Sequence, residues 1–350
     1  MSLKKNIAII ADDLTLGSPA QQILDRLLFG YTRDGVFEPR PFERVTVCAN
    51  ADSGKLLEAR KSQFNCEIVD SPKRAAASAN AVVFLSSDGL SDIIETVRAD
   101  TPVFVHGLLG KSRKAAEGIV RAADERRIPI CAGTVFSVLQ ELPPMEIPNL
   151  MAVGAQIREA LIVVQGGSPE AELSAFDAIA PILERNGGMR NIQRLQSFEG
   201  PAVWEAGNQG EWSWRLLASA LSRTDKAQGN TLLDGRTENI VGLKLTQKMA
   251  TNPRAHLIDH AHGMDYTHGL RTTILVLDGV VGDILVAVKA GRRLLPGSVY
   301  STQLFQSPSP QQEHYSRLVA TVTDFFTTGK TPWETKRAIV AADFADRLRE

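Results

Sequence analysis

Cysteine is scarce in this chain: three residues of 350, at Cys48, Cys66 and Cys131, far apart. An odd, scattered set excludes a disulfide framework and matches no zinc-ligand spacing. It reads as reduced core thiols, which places the protein in the cytoplasm. An excess of charge of either sign is also missing, with 39 Lys and Arg against 40 Asp and Glu. Without a basic surplus there is no electrostatic footprint for a nucleic-acid partner. No apolar run reaches the roughly 18 residues of a membrane span, so no membrane partner is expected. The opening Met1-Ser2-Leu3-Lys4-Lys5 carries no apolar signal-peptide core. What is present is an ordinary globular balance, 43% hydrophobic and 23% charged. That balance excludes disorder across the whole length, and the length itself suggests two domains.

Short β-rich runs alternate with helical patterns over the first third. Strands are expected at Asn6–Ile10, Arg44–Ala49, Cys66–Val69, Ala81–Ser86, Pro102–His106 and Pro129–Ala132. Several are continuously apolar, as in Ile7-Ala8-Ile9-Ile10, which suits strands covered on both faces. The first helix is the best signalled. Ser18-Pro19-Ala20-Gln21 reads as a capping box with proline at the first helical position, and Ile23, Leu24, Leu27 and Leu28 form one apolar stripe before Gly30. Further helices fit Ser53–Gln63 and Lys111–Arg127. Such alternation predicts a doubly wound parallel sheet, an α/β domain, over residues 1–142. From 143 to 350 the pattern changes to α+β. Ala160–Val164 reads as a strand and Pro169–Arg185 as a helix, with Trp212–Leu221 a second helix. Thr272–Leu277 and Asp283–Val288 are close enough to form a hairpin across Asp278–Gly282, and helices close the chain at His314–Thr327 and Pro332–Arg347.

Several residues carry possible chemistry. Asp12 and Asp13 follow the first strand, where α/β proteins bind ligands. They read either as groups for a hydroxylated ligand or cation, or as solvated loop carboxylates. His106 closes a strand and reads as a proton-transfer group or as a buried structural histidine. His256, His260 and His262 share one face if the segment is a strand. With His268, Asp259 and Asp265 they could ligate zinc or manganese, but their spacing matches no metal motif, so no metal is assigned, and a ligand-facing or polar sheet surface is the other reading. Gly166-Gly167-Ser168-Pro169 opens a helix and reads either as a turn that admits a ligand or as a plain turn with Ser168 as N-cap and Pro169 at the first helical position. Glu170 and Glu172 suit that helix's positive end. Trp204, Trp212 and Trp214 read as core or interface, with stacking on a sugar as the alternative.

The order of these elements resembles the Gfo/Idh/MocA oxidoreductases over nearly the whole chain. Local stretches carry the likeness: Asp100–Ser137 in its strand–helix–strand spacing, Gln193–Trp212 with Glu199-Gly200-Pro201, and Asp324–Pro332 before the final helix. The resemblance implies a Rossmann-like dinucleotide domain, an α+β substrate domain whose open, mostly antiparallel sheet makes a homo-oligomer, last helices packing back toward the first domain, and a cleft between the domains for a sugar or polyol. NAD or NADP would lie by position at Asp12, Leu14, Gly17, Ser18, Asn50 and Ser86, with His106 and Asp177 as catalytic candidates. Three departures stand out. The first turn, Ala11-Asp12-Asp13-Leu14-Thr15-Leu16-Gly17-Ser18, has one glycine where the family has Gly-x-Gly-x-x-Gly. His106-Gly107-Leu108 stands at the family's Glu-Lys-Pro, so its lysine is absent, Lys111 following later. The second-domain helix has Asp177 but no histidine. The expectation is a divergent member that binds or acts on a sugar-like small molecule, with NAD(P) hydride transfer weakened or lost. The alternatives are a non-catalytic oligomeric scaffold and a true dehydrogenase with an atypical phosphate loop.

Overall fold

The computed structural model describes residues 6–49, 54–64, 66–147, 155–166, 170–225, 259–277, 281–292 and 297–350. Asn50, His256 and the Gly167-Ser168-Pro169 turn lie outside them. The chain divides into two units: Met1–Val138 with Ser307–Ala342, and Leu139–Gln306 with Asp343–Glu350.

In the first unit the strands are β1 (Asn6–Ala11), β2 (Tyr31–Arg33), β3 (Val36–Glu38), β4 (Arg44–Ala49), β5 (Cys66–Ile68), β6 (Ala81–Leu85), β7 (Val103–His106) and β8 (Ile130–Gly133). Its helices are α1 (Pro19–Phe29), α2 (Gly54–Gln63), α3 (Pro72–Ala77), α4 (Leu90–Thr96) and α5 (Arg113–Glu125). Six strands form one parallel sheet in the order β5-β4-β1-β6-β7-β8. The order reverses direction between β1 and β6, the switch point at which such sheets open a crevice. Ile7, Ile9, Val83 and Phe104 pack on one face beneath α1. Ala8, Ile10, Val82 and Val105 pack on the other beneath α3, α4 and α5. Double coverage explains the unbroken apolar runs. Each buried Ile or Val contributes about 1.5–3 kcal/mol of transfer free energy.

β2 and β3 form a separate two-stranded ribbon absent from the sequence reading. Asp34 and Gly35 turn it, with φ of 52° and 79°. Positive φ at both central residues is what a tight hairpin turn requires.

The second unit holds β9 (Gln140–Leu142), β10 (Ala155–Val164), β11 (Ile192–Glu199), β12 (His260–Tyr266), β13 (Arg271–Val276), β14 (Ile284–Arg292) and β15 (Ser298–Phe305). Its helices are α6 (Ala171–Leu183), α7 (Pro201–Gln209) and α8 (Trp214–Leu221). The sheet order is β11-β12-β13-β10-β14-β15-β9, parallel at β13–β10 and antiparallel elsewhere. β9 belongs to this sheet, so the change of unit falls at 139, before the expected 143. The expected hairpin between the strands now labelled β13 and β14 does not form, because β10 lies between them and pairs with both.

One face of this sheet, with Leu161, Leu275 and Leu285, packs beneath α7 and α8. The three tryptophans belong to this core. Trp204 and Trp212 are 3% and 2% exposed, Trp214 stacks on Trp204, and Trp212 Nε1 donates to Val203 O at 2.8 Å. They are therefore not placed to stack on a sugar. The last two helices are α9 (Glu313–Thr328), which packs on α1 in the first unit, and α10 (Thr335–Arg347).

Candidate functional site

The loop after β1 is organised by its own side chains. Ser18 caps α1, its Oγ accepting the Gln21 N–H at 3.2 Å, and Pro19 supplies no N–H. The Gln21 side chain turns back, and its Oε1 accepts the Gly17 N–H at 2.9 Å. The capping box is thus displaced by one residue, since the Ser18 N–H donates to Thr15 O instead. Gly17, with φ of 90°, takes the one left-handed conformation in the loop. Leu14 is 1% exposed within the core, so its side chain cannot face a ligand.

Asp12 spans the switch point. Its Oδ1 accepts from Ser86 Oγ at 2.6 Å and its Oδ2 from the Ser87 N–H at 2.6 Å. Burial alone would raise its pKa, but these hydrogen bonds outweigh burial and hold the carboxyl below its usual range. Asp13 is exposed and accepts from Thr15 Oγ1 at 3.0 Å. A dinucleotide pyrophosphate needs free N–H groups and no facing carboxylate. Here the Gly17 and Gln21 N–H groups are already bonded, Pro19 has none, and an ionised Asp12 occupies the crevice. The residues present do not fit that group.

His106 lies half-buried at the end of β7, on the same strand face as Phe104. Its Nε2 is enclosed without a hydrogen-bond partner, and burial pushes the imidazole down to about 4. At neutral pH it is uncharged. Lys111 pairs with Asp88 at 2.9 Å on the surface. Asp177 belongs to the second unit and is buried, 6% exposed, on α6.

The second unit brings together residues that the sequence reading left apart. His260 and His262 share a face of β12, as the period of two predicts, with rings 6.4 Å apart and 12° from parallel. His262 Nδ1 lies 3.0 Å from Ser197 Oγ, across the β11–β12 ladder. Its Nε2 lies 3.9 Å from Glu172 Oε1 at the start of α6. That imidazole holds the Glu172 carboxyl below the usual carboxylate range, against the effect of burial. Among the described residues no group of His, Cys, Asp and Glu has the arrangement of a metal site. All three cysteines are buried and none is in a disulfide. No described helix is long and apolar enough to cross a membrane.

No protein-family model matches the sequence, and no curated protein is significantly similar to it. Solved structures do match. An apo scyllo-inositol dehydrogenase from Lactobacillus casei superposes with a TM-score of 0.57 at 9% identity, over 100% of this chain and 96% of that one. The myo-inositol dehydrogenase of the same organism, in complex with NAD(H) and myo-inositol, gives 0.56 at 12% identity over 98% and 92%. A UDP-N-acetylglucosamine 3-dehydrogenase from Acidithiobacillus ferrooxidans gives 0.55 at 9% over 99% and 97%. These are sugar and polyol dehydrogenases of the Gfo/Idh/MocA type, and at such identity the likeness establishes the two-domain Rossmann-like fold.

Proposed function

We propose that this chain is a divergent Gfo/Idh/MocA-like protein that binds or acts on a sugar-like small molecule, and that NAD(P) hydride transfer in it is weakened or lost. One observation carries the reading: Gln21 Oε1 takes the Gly17 N–H and Ser18 Oγ takes the Gln21 N–H at the entry to α1, and Asp12 bridges the crevice beside them. An ionised carboxylate repels a pyrophosphate and accepts hydrogen bonds from hydroxyl groups. The similar structures named above are of enzymes for inositols and an amino sugar, which supports a polyhydroxylated ligand. His106, neutral and with Nε2 unpartnered, is a candidate hydrogen-bonding group for it, and Asp177 is a candidate on α6. The buried cysteines, none of them in a disulfide, support a cytoplasmic setting.

Calorimetric titration with myo-inositol, scyllo-inositol and glucose tests this reading. Saturable binding of one of them without cofactor, weakened in Asp12→Ala or His106→Ala, supports it. Absence of binding by all three at millimolar concentration counts against it.

A second reading, a non-catalytic interaction protein, is favoured by a groove of about 750 Å³ between α1, the β2–β3 ribbon and residues 309–313. Leu16, Phe29 and Phe37 line it and are exposed. Sedimentation equilibrium separates the readings. A dimer that Leu16→Asp or Phe37→Asp dissociates would assign the groove to assembly.

A further inference from the structure

His262 is a group that the proposed function does not use. Its ring is 7% exposed, packed edge-on against Phe344 with centroids 6.3 Å apart. Nδ1 faces Ser197 Oγ at 3.0 Å, and Ser197 is exposed on the edge strand β11. Nε2 is enclosed without a hydrogen-bond partner and lies 3.9 Å from the ionised Glu172. A carboxylate beside Nε2 favours the proton there, which leaves the Nδ1 lone pair to accept the Ser197 hydroxyl proton. Ladder register alone puts Ser197 opposite His262. It does not bring Glu172, from a helix, against the other nitrogen.

We propose that Ser197 is a nucleophile activated by His262, with Glu172 positioning the imidazole, and that its substrate class is small, neutral carboxylic esters. An exposed hydroxyl, a buried base and an acid behind it are the parts of an activated serine, recognised by role rather than by chain order. The two ring nitrogens are exchanged relative to the commoner arrangement. Among the described residues β12 is the only ladder partner of β11, so alternate N–H groups along β11 face outward beside Ser197. They are donors for a developing oxyanion. Glu199 stands two residues from Ser197 on the same strand face and Glu172 lies behind the imidazole, so the local charge disfavours anionic esters. In the reaction the Ser197 Oγ–carbon bond forms as its proton passes to Nδ1. The bond to the leaving alcohol breaks as the alcohol takes that proton. Water then adds to the acyl carbon as its proton passes to Nδ1, and the Ser197 Oγ–carbon bond breaks as Oγ takes that proton back, which releases the carboxylic acid.

The full chain is treated with a neutral fluorophosphonate, which forms a Ser197 Oγ–phosphorus bond and releases fluoride, and the adduct is mapped by peptide mass. The expected result is one adduct at Ser197, absent in Ser197→Ala and formed about 100-fold more slowly in Glu172→Gln. Hydrolysis of p-nitrophenyl acetate should fall in the same order. An unlabelled native protein, an adduct that persists in Ser197→Ala, or an unchanged rate in a folded Glu172→Gln overturns the proposal. Matching thermal melts establish folding, and Ser197→Ala decides alone if Glu172→Gln does not fold. Neither cofactor nor polyol enters the readout, so the outcome is independent of the proposed function.

Discussion

Asp12 accepts a 2.6 Å hydrogen bond from Ser86 Oγ, tying the loop after β1 to the loop after β6 where the parallel sheet changes direction. Asp12→Ala removes the acceptor for both Ser86 and Ser87 and should destabilise the first unit by about 1–2 kcal/mol at pH 7. Because the folded pKa of Asp12 is lowered from 3.8, its contribution is full above that value and disappears as pH falls through the folded pKa. Urea unfolding of the native and variant proteins should therefore differ at pH 7 and converge under strongly acidic conditions.

Ser18 completes the first turn of α1 by accepting the Gln21 N–H. Ser18→Ala should cost about 1 kcal/mol, and Ser18→Asp should keep the cap. The midpoint of urea unfolding distinguishes the two variants.

Two first-unit histidines should make that unit acid-sensitive. Burial lowers His106 to about 4, and burial with nearby Arg26 lowers His314 to about 4. Between pH 6.5 and 4 the unfolded chain takes up a proton at each position that the folded chain refuses. Stability is then full above about pH 6.5 and falls toward pH 4, by roughly 2 kcal/mol per histidine at pH 5. His106→Gln and His314→Gln should each flatten the pH dependence of the urea midpoint.

Gly207 lies beneath the Trp212 ring, where an added Cβ would come within 2.4 Å of Cζ2. Gly207→Ala should cost about 1–3 kcal/mol through overpacking. A red shift of tryptophan emission should accompany it if the cluster opens, while an unchanged spectrum and midpoint would contradict this packing.

The parts of the fold legible in the sequence were those whose signals are local. The unbroken Ile7–Ile10 run gave β1, and Ser18-Pro19 with its apolar stripe gave α1. The Asp34-Gly35 turn carries a local hairpin signal as well, but the strands beside it, Tyr31–Arg33 and Val36–Glu38, are too short to show a period of two. Pairing across distance was not legible. β13 and β14 are close in sequence, yet β10 pairs with both, and nothing in residues 271–292 announces that strand. At the candidate site, sequence position placed Asp12 and His106 on strand ends. It could not show that Gln21 satisfies Gly17, because that depends on a side-chain rotamer. The inward turn of the Leu14 side chain was hidden for a related reason, since a loop position alone does not reveal which side chains turn inward. His262 stood out as one of a histidine group, but Ser197 lies 65 positions away and only the β11–β12 register joins them.

The central claim is that the closed α1 loop and the Asp12 bridge oppose the dinucleotide. Titration of the purified protein with NADH and NADPH, followed by nicotinamide fluorescence and calorimetry, tests it most directly. The account predicts no saturable binding up to millimolar cofactor. Micromolar binding would contradict it and would establish that this loop, with one glycine and two carboxylates, still holds the dinucleotide.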